Sequence, residues 1–143
     1  MKRNLFLPLV LVLVFFTVVS CEHIPPDMTG TWQGIEMRTF NYMEDGTTYN
    51  NTYYTFWEGE RILIFYGNGI WEEKREMATY TGTWELRSNY TNYGGGETYD
   101  WELIMRQGSV TKRFFVKEIN NSALDMVEVQ TLWRCITRYK KVI

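Results

Sequence analysis

The sequence predicts an all-β protein: an antiparallel meander of about eight or nine strands, closed into a barrel and preceded by an N-terminal signal helix. Three observations lead to this prediction. No window after Thr29 carries apolar residues at helical spacing over several turns. Short runs rich in Thr, Tyr, Trp, Phe, Val and Ile are separated by Gly and Asn. In TYDWELIMR, residues 98–106, apolar and polar side chains alternate, as in a strand with one buried face.

The first 20 residues differ in kind from the rest of the chain. Lys2 and Arg3 precede the apolar run Leu5–Val19, and the small Ser20 follows it. A charged start, an apolar centre and a small residue before a cleavage point form the layout of an export signal. The alternative is a permanent transmembrane helix, but the apolar run is shorter than the roughly 20 residues that a span needs. We therefore expect residues 1–20 to be removed as a signal peptide.

The residues Val18-Val19-Ser20-Cys21 resemble a bacterial lipobox. The resemblance implies that Cys21 receives diacylglycerol, becomes the new N-terminus and is then acylated on its amine with palmitate or a similar chain. Two or three acyl chains hold a protein stably, at about 0.8 kcal/mol per buried methylene. We expect a protein anchored by this lipid in the bacterial cell envelope and facing the periplasm or the exterior. Residues 21–28 are then a lipidated tether, and residues 29–143 form the domain.

Composition argues against several classes of function. If Cys21 is lipidated, Cys135 has no partner in the chain for a disulfide. The only histidine, His23, lies in the tether, which argues against a catalytic Cys–His pair and against a zinc site. We expect no metal and no cofactor. Loss of the two basic residues of the signal peptide takes the formal net charge from −2 to −4, and an acidic domain is a poor candidate for nucleic-acid binding.

Turn signals separate the predicted strands. GNG at 67–69 and QGS at 107–109 are short turns, whereas NYTNYGGGE at 89–97 is a longer connection. Neighbouring strands should pair antiparallel, and closure into a barrel would remove both edges of the sheet; an open sandwich is the alternative. The predicted strands are Thr31–Phe40, Thr48–Trp57, Arg61–Tyr66, Ile70–Lys74, Thr81–Arg87, Thr98–Arg106, Val110–Ile119, Ala123–Val129 and Thr131–Lys141.

The tetrapeptide TGTW occurs at 29–32 and again at 81–84. The first copy contains Gly30 and Trp32 and resembles the Gly-x-Trp that opens the first strand of lipocalins and other calycin barrels. Over residues 29–141 the chain is similar in style to the small lipocalin-like domains of bacterial lipoproteins. The resemblance implies that Trp32 packs at the closed end of the barrel, with Arg134 or Arg138 lying across its ring.

By analogy with that family, we expect a non-catalytic protein that binds a small apolar ligand inside the barrel. A barrel of about eight strands has room for its own side chains or for one small ligand. An enzyme using acids such as Glu72 and Glu102 is a weaker alternative, because the sequence does not give the separation of the two carboxylates. The candidates for the barrel interior are Trp84, Leu86, Tyr99, Trp101, Leu103, Met105 and Trp133.

Aromatic residues make up 17% of the chain, and several cluster between Tyr49 and Trp57 and around Tyr99. If side chains of the protein filled the barrel, such residues would form a binding surface for a protein or a glycan. This envelope-module function is the alternative that the sequence leaves open. The oligomeric state is equally open.

Overall fold

The computed structural model describes residues 24–88, 99–120 and 122–142. The regular secondary structure within these residues consists entirely of β-strands. All nine strands belong to one antiparallel sheet. Pairing of the first strand with the last closes eight of the strands into a barrel, which confirms the predicted closure and excludes the open sandwich. The strands are β1 (Gly30–Tyr42), β2 (Thr48–Thr55), β3 (Arg61–Phe65), β4 (Ile70–Arg75), β5 (Ala78–Ser88), β6 (Trp101–Gln107), β7 (Val110–Asn120), β8 (Ala123–Val129) and β9 (Trp133–Val142).

The predicted signal helix, residues 1–20, lies outside the described residues, as do Cys21 and the GGG connection. Within the described residues there is no helix long and apolar enough to cross a membrane. Two predicted turns are present as expected. Gly69 ends the β3–β4 turn with φ +81° and Gly108 lies in the β6–β7 turn with φ +56°, a region of backbone space that favours glycine.

Strand β2 departs from the predicted pattern, in which each strand pairs with the next. Both β2 and β3 pair with β1: β2 with residues 36–42 and β3 with residues 30–33. A bulge in β1 between Gly34 and Glu36 separates the two stretches, and there the N–H of Phe56 donates to the carbonyl oxygen of Ile35 at 3.0 Å. As a result β2 is an extra strand outside the closed barrel, and all eight of its residues are exposed.

Apolar side chains on the inward faces of the strands fill most of the barrel. Successive residues of a strand point to opposite faces, so the inward residues of each strand are two apart. Full burial of a large apolar side chain stabilises the fold by about 1.5–3 kcal/mol, so this cluster is the main source of stability. The buried cluster comprises Met28, Trp32, Leu63, Phe65, Trp71, Leu103, Met105, Val116, Leu124, Met126 and Tyr139.

One end of the barrel is closed by Trp32 and by the segment that precedes β1. Trp32 is 3% exposed, and its Nε1–H donates to the carbonyl oxygen of Met28 at 2.8 Å. Lys141, directly opposite Trp32 on β9, places its Nζ 5.2 Å from the centre of the Trp32 ring. The same ammonium lies 3.2 Å from the carboxylate of Asp27. Asp27 and Met28, which the sequence assigns to the tether, are therefore docked on the barrel.

Candidate ligand-binding cavity

A cavity of about 260 Å³ lies inside the barrel, at the end opposite to Trp32. Arg75, Gln107 and Val110 line it, and these residues flank the β4–β5 and β6–β7 turns. Those two turns therefore form the rim of the cavity. Sites for drug-sized ligands begin at about 300 Å³, so the space suits a smaller molecule.

The deeper wall of the cavity is apolar, and half of its residues are aromatic. It is formed by inward-facing residues of six strands, and most of these side chains are buried in the main core. Apolar walls of this kind favour a ligand with an apolar body, at about 25 cal/mol per Å² of apolar surface removed from water. The wall residues are Leu63, Trp71, Met105, Phe114, Met126 and Tyr139.

Charged side chains lie on one side of the cavity, on β3 and β4. The carboxylate of Glu73, a residue only 8% exposed, accepts a hydrogen bond from Arg61 Nε at 2.7 Å and from an Arg75 terminal nitrogen at 3.0 Å. Arg61 and Arg75 are directly opposite each other in the β3–β4 ladder, which brings both guanidinium groups to the one carboxylate. Because one carboxylate serves two guanidinium groups, the three side chains together carry a charge of +1.

Lys112 and Tyr139 also contribute polar groups to the wall, as do Tyr80 and Gln107. Lys112 lines the cavity from β7, and no ion pair joins it to any residue that the structure describes. Tyr139 is 1% exposed, and burial raises its pKa to about 12, so its hydroxyl group stays protonated at neutral pH. The guanidinium carbon of Arg61 lies 5.7 Å from the centre of the Tyr139 ring. Beside the Glu73 carboxylate, the described wall of the cavity therefore presents cations and neutral groups.

The second TGTW copy supports the cavity wall through its glycine. Gly82 is directly opposite Trp71 in the β4–β5 ladder, and the Trp71 indole lies against it. A Cβ atom at residue 82 would be 2.8 Å from Trp71 Nε1 and would overlap the carbonyl oxygen of Arg106. Nε1 of Trp71 is buried and has no hydrogen-bond partner in the described structure. Glycine is thus required at this position because a side chain would have no room, and not because of its backbone dihedral angles.

The interior candidates named from the sequence have different positions. Met105 lines the cavity, Leu103 is buried in the core, and Trp84, Leu86 and Trp101 are partly buried against that core. Tyr99 lies in a separate buried cluster with Phe115 and Val127, where its ring stacks on Phe115 at 5.2 Å. Trp133, at the start of β9, is half-buried and opposite Asn41 of β1.

The motif residues inferred from the family resemblance can also be located. Gly30 has φ +111° and Trp32 lies at the closed end. Lys141, rather than Arg134 or Arg138, is the cation over Trp32. The guanidinium group of Arg134 lies over Phe40 instead, at 5.2 Å, and Arg138 forms a bidentate pair with Asp125 on the outer face.

Most of the cavity was not predicted from the sequence. The missed residues include Trp71, Phe114, Met126 and Tyr139, together with the charged side chains of Arg61 and Lys112. The available signal was the two-residue period itself, which places Trp71, Glu73 and Arg75 on one face of β4. Charged side chains on strands usually face water, so this face of β4 does not stand out in the sequence as part of a cavity.

No group of three or more His, Cys, Asp or Glu side chains among the described residues is placed to hold a metal ion. Comparison of the chain with protein-family models, with curated proteins and with solved structures gives no match. The architecture, a closed eight-stranded antiparallel barrel with one extra strand, is consistent with a lipocalin-like barrel. Function has to be inferred from the site itself.

Proposed function

We propose that this protein is a lipid-anchored protein of the bacterial cell envelope whose barrel binds one small ligand with an apolar body. The observation that carries the proposal is the cavity of about 260 Å³ inside the barrel. Trp71, Phe114 and Tyr139 contribute aromatic surface to its deeper wall, and its rim lies at the turns rather than within the sheet. A concave apolar site with a few convergent polar groups is the usual form of a small-molecule site.

The position of the cavity supports an anchored binding protein. Cys21 lies three residues before Ile24, and the chain then docks Met28 at the closed end of the barrel. Because β1 begins at that end, the cavity rim is at the far end of the barrel from the proposed lipid. A ligand would therefore enter from the aqueous side while the protein remains on the membrane.

The environment of the acidic residues favours binding over catalysis. Glu73 is the single carboxylate among the described residues of the cavity wall, and two guanidinium groups already hold it. Glu72 and Glu102, the acids of the enzyme alternative, pair with Lys74 and Arg113 and do not line the cavity.

A plug at the rim tests binding in the cavity. Val110 lines the cavity and is 55% exposed, so Val110→Trp should obstruct the entrance at little cost to folding. Thr111 is the next residue on β7 and faces outwards, which makes Thr111→Trp a matched control. We expect 2-naphthalenemethanol to bind the wild type and the control, and to bind the plugged variant roughly tenfold more weakly, equivalent to about 1.4 kcal/mol. Equal binding to all three proteins would contradict the proposal.

The anchor has a separate test. Cys21→Ser removes the thiol that would carry diacylglycerol, so the variant should lose incorporation of labelled palmitate. Cys135→Ser, which changes the other cysteine, should behave as the wild type does. Undiminished palmitate labelling of Cys21→Ser would refute lipid anchoring.

Strand β2 favours a second candidate function, attachment of a partner protein. Among the described strands β2 pairs with β1 alone, so its other edge offers unpaired backbone groups. Its eight residues include no charged side chain, and Tyr49 and Tyr53 are 59% and 61% exposed. Natural proteins usually protect such an edge, and an extended segment of another protein could add to it as a further strand. A photoreactive residue in place of Tyr49 should then crosslink to one defined envelope protein, whereas one in place of the exposed Met77 should not.

A further inference from the structure

We infer that the ligand of the cavity is an organic anion, an apolar body that carries one acidic group. This inference rests on the proposed function, since it names the class of ligand that the same cavity would take. It follows from the balance of charge in the wall, which the aromatic lining alone does not reveal.

Among the residues that the structure describes, the cavity wall contains three cations and one anion. The cations are Arg61, Arg75 and Lys112, and the anion is Glu73. The net formal charge of the wall is therefore +2. Glu60 and Glu76 lie along a neighbouring groove with Arg61 and Arg75 and do not line the cavity. Glu128, two residues beyond Met126 on β8, also lies near this end but does not line the cavity.

Glu73 does not fully neutralise the guanidinium groups that it holds. Its Oε1 accepts from Arg61 Nε, and both of its oxygens accept from one terminal nitrogen of Arg75. Each guanidinium group has five N–H donors, so donors on both remain for another acceptor. Lys112 has no described ionic partner at all. An acidic ligand would supply the missing negative charge, whereas a cationic ligand would meet a wall that repels it.

The geometry also places the two parts of such a ligand. Along β4 the inward side chains are Trp71, then Glu73, then Arg75 at the rim. The apolar body would lie towards Trp71, Phe114 and Met126, and its acidic group would lie near the rim cations. Charge-assisted hydrogen bonds of this type exceed neutral ones in strength, although exposure at the rim lowers their net value.

Three probes with the same ring system and different charges test the inference. They are 2-naphthoate, 2-naphthalenemethanol and 2-naphthylmethylammonium, titrated calorimetrically against the full chain in phosphatidylcholine nanodiscs, with empty nanodiscs as the reference. We expect naphthoate to bind about tenfold more tightly than the alcohol, and the ammonium compound to bind most weakly.

Two substitutions in the wall and one control substitution assign the effect to the wall. Lys112→Met should weaken naphthoate binding about three- to tenfold relative to binding of the alcohol. Lys117→Met, on the same strand but with the opposite orientation, should change neither. Glu73→Gln should strengthen naphthoate binding, because it removes the competing carboxylate. Lys112 is exposed, so its variant should fold even if Glu73→Gln does not.

The outcomes separate the two proposals. Tighter naphthoate binding that depends on Lys112 supports the anion inference. If the alcohol binds as tightly as naphthoate, or the ammonium compound binds more tightly, the anion inference is overturned while ligand binding stands. If no probe binds, both proposals fail. If naphthoate binding is equally weakened by Lys117→Met, general surface charge explains it and the inference also falls.

Discussion

Replacing Gly82 by alanine should destabilise the barrel severely, because the new methyl group has no room. The added Cβ atom would overlap the carbonyl oxygen of Arg106 on β6 and lie 2.8 Å from Nε1 of Trp71. The carbonyl oxygen belongs to the backbone of a paired strand, so β5 and β6 would have to move apart. The indole ring is held by the core around it and has little freedom to turn.

The size of the effect can be estimated from its parts. Overpacking of a well-packed core typically costs 1–3 kcal/mol, and loss of one or two ladder hydrogen bonds adds about 0.5–1.5 kcal/mol each. Alanine regains roughly 0.5–1 kcal/mol because it is less flexible than glycine in the unfolded chain. We therefore expect Gly82→Ala to lower the free energy of unfolding by about 2–4 kcal/mol.

Urea denaturation followed by tryptophan fluorescence measures this loss as a shift of the midpoint by roughly 1 M or more. Gly67→Ala is the matched control: a Cβ atom there meets nothing within 4 Å, and no positive φ opposes it. The control should stay within about 0.5 kcal/mol of the wild type. A Gly82→Ala protein that is equally close to the wild type would refute the packing of Trp71 against β5.

Three other predictions concern stability. The pKa of Tyr139 is raised to about 12 from an ordinary 10, so the stability that its neutral hydroxyl contributes is complete below pH 10 and is lost as pH rises towards 12. By pH 12 the free energy of unfolding of the wild type, measured by urea denaturation, should fall by about 2 kcal/mol more than that of Tyr139→Phe. Parallel pH profiles of the two proteins would contradict this. Met28→Ala should lower the free energy of unfolding by about 2–4 kcal/mol in the same assay, because Met28 belongs to the core. Ile24→Ala, at an 84% exposed position, should have almost no effect. Equal effects of the two substitutions would mean that Met28 does not belong to the core. Asp125→Asn should cost about 1–2 kcal/mol, since Asp125 is 8% exposed and accepts two hydrogen bonds from the partly exposed Arg138; no loss would mean that the pair is only a surface contact.

The strands and the closed barrel could be predicted because their signals are local. Alternation along residues 98–106 gives a half-buried strand, and short turns such as GNG force antiparallel neighbours. Even so, the sixth strand begins at Trp101 rather than at Thr98, and Tyr99 packs in the separate cluster with Phe115. The closing pair of β1 and β9 joins the two ends of the chain, and only the need to remove edges predicted it.

The features that the sequence did not predict depend on register between distant strands. Lys141 lies over Trp32 because it is opposite Trp32 in the β1–β9 ladder, and no local pattern specifies that pairing. The collinear placement of β2 and β3 along β1 depends on the bulge after Gly34. The sequence does not predict the cavity because Glu73 and its guanidinium partners point inwards. In most strands the charged side chains face water and the apolar side chains face the core.

Native mass spectrometry of the full chain, purified from a bacterial host into nanodiscs, tests the central claim most directly. The claim is that the barrel holds a small ligand in its cavity. We expect the wild type to carry an added small mass that organic extraction removes, to regain it when 2-naphthoate is supplied, and to do neither once Val110→Trp closes the rim. A wild-type protein that shows only its own mass, before and after naphthoate is added, would contradict the claim.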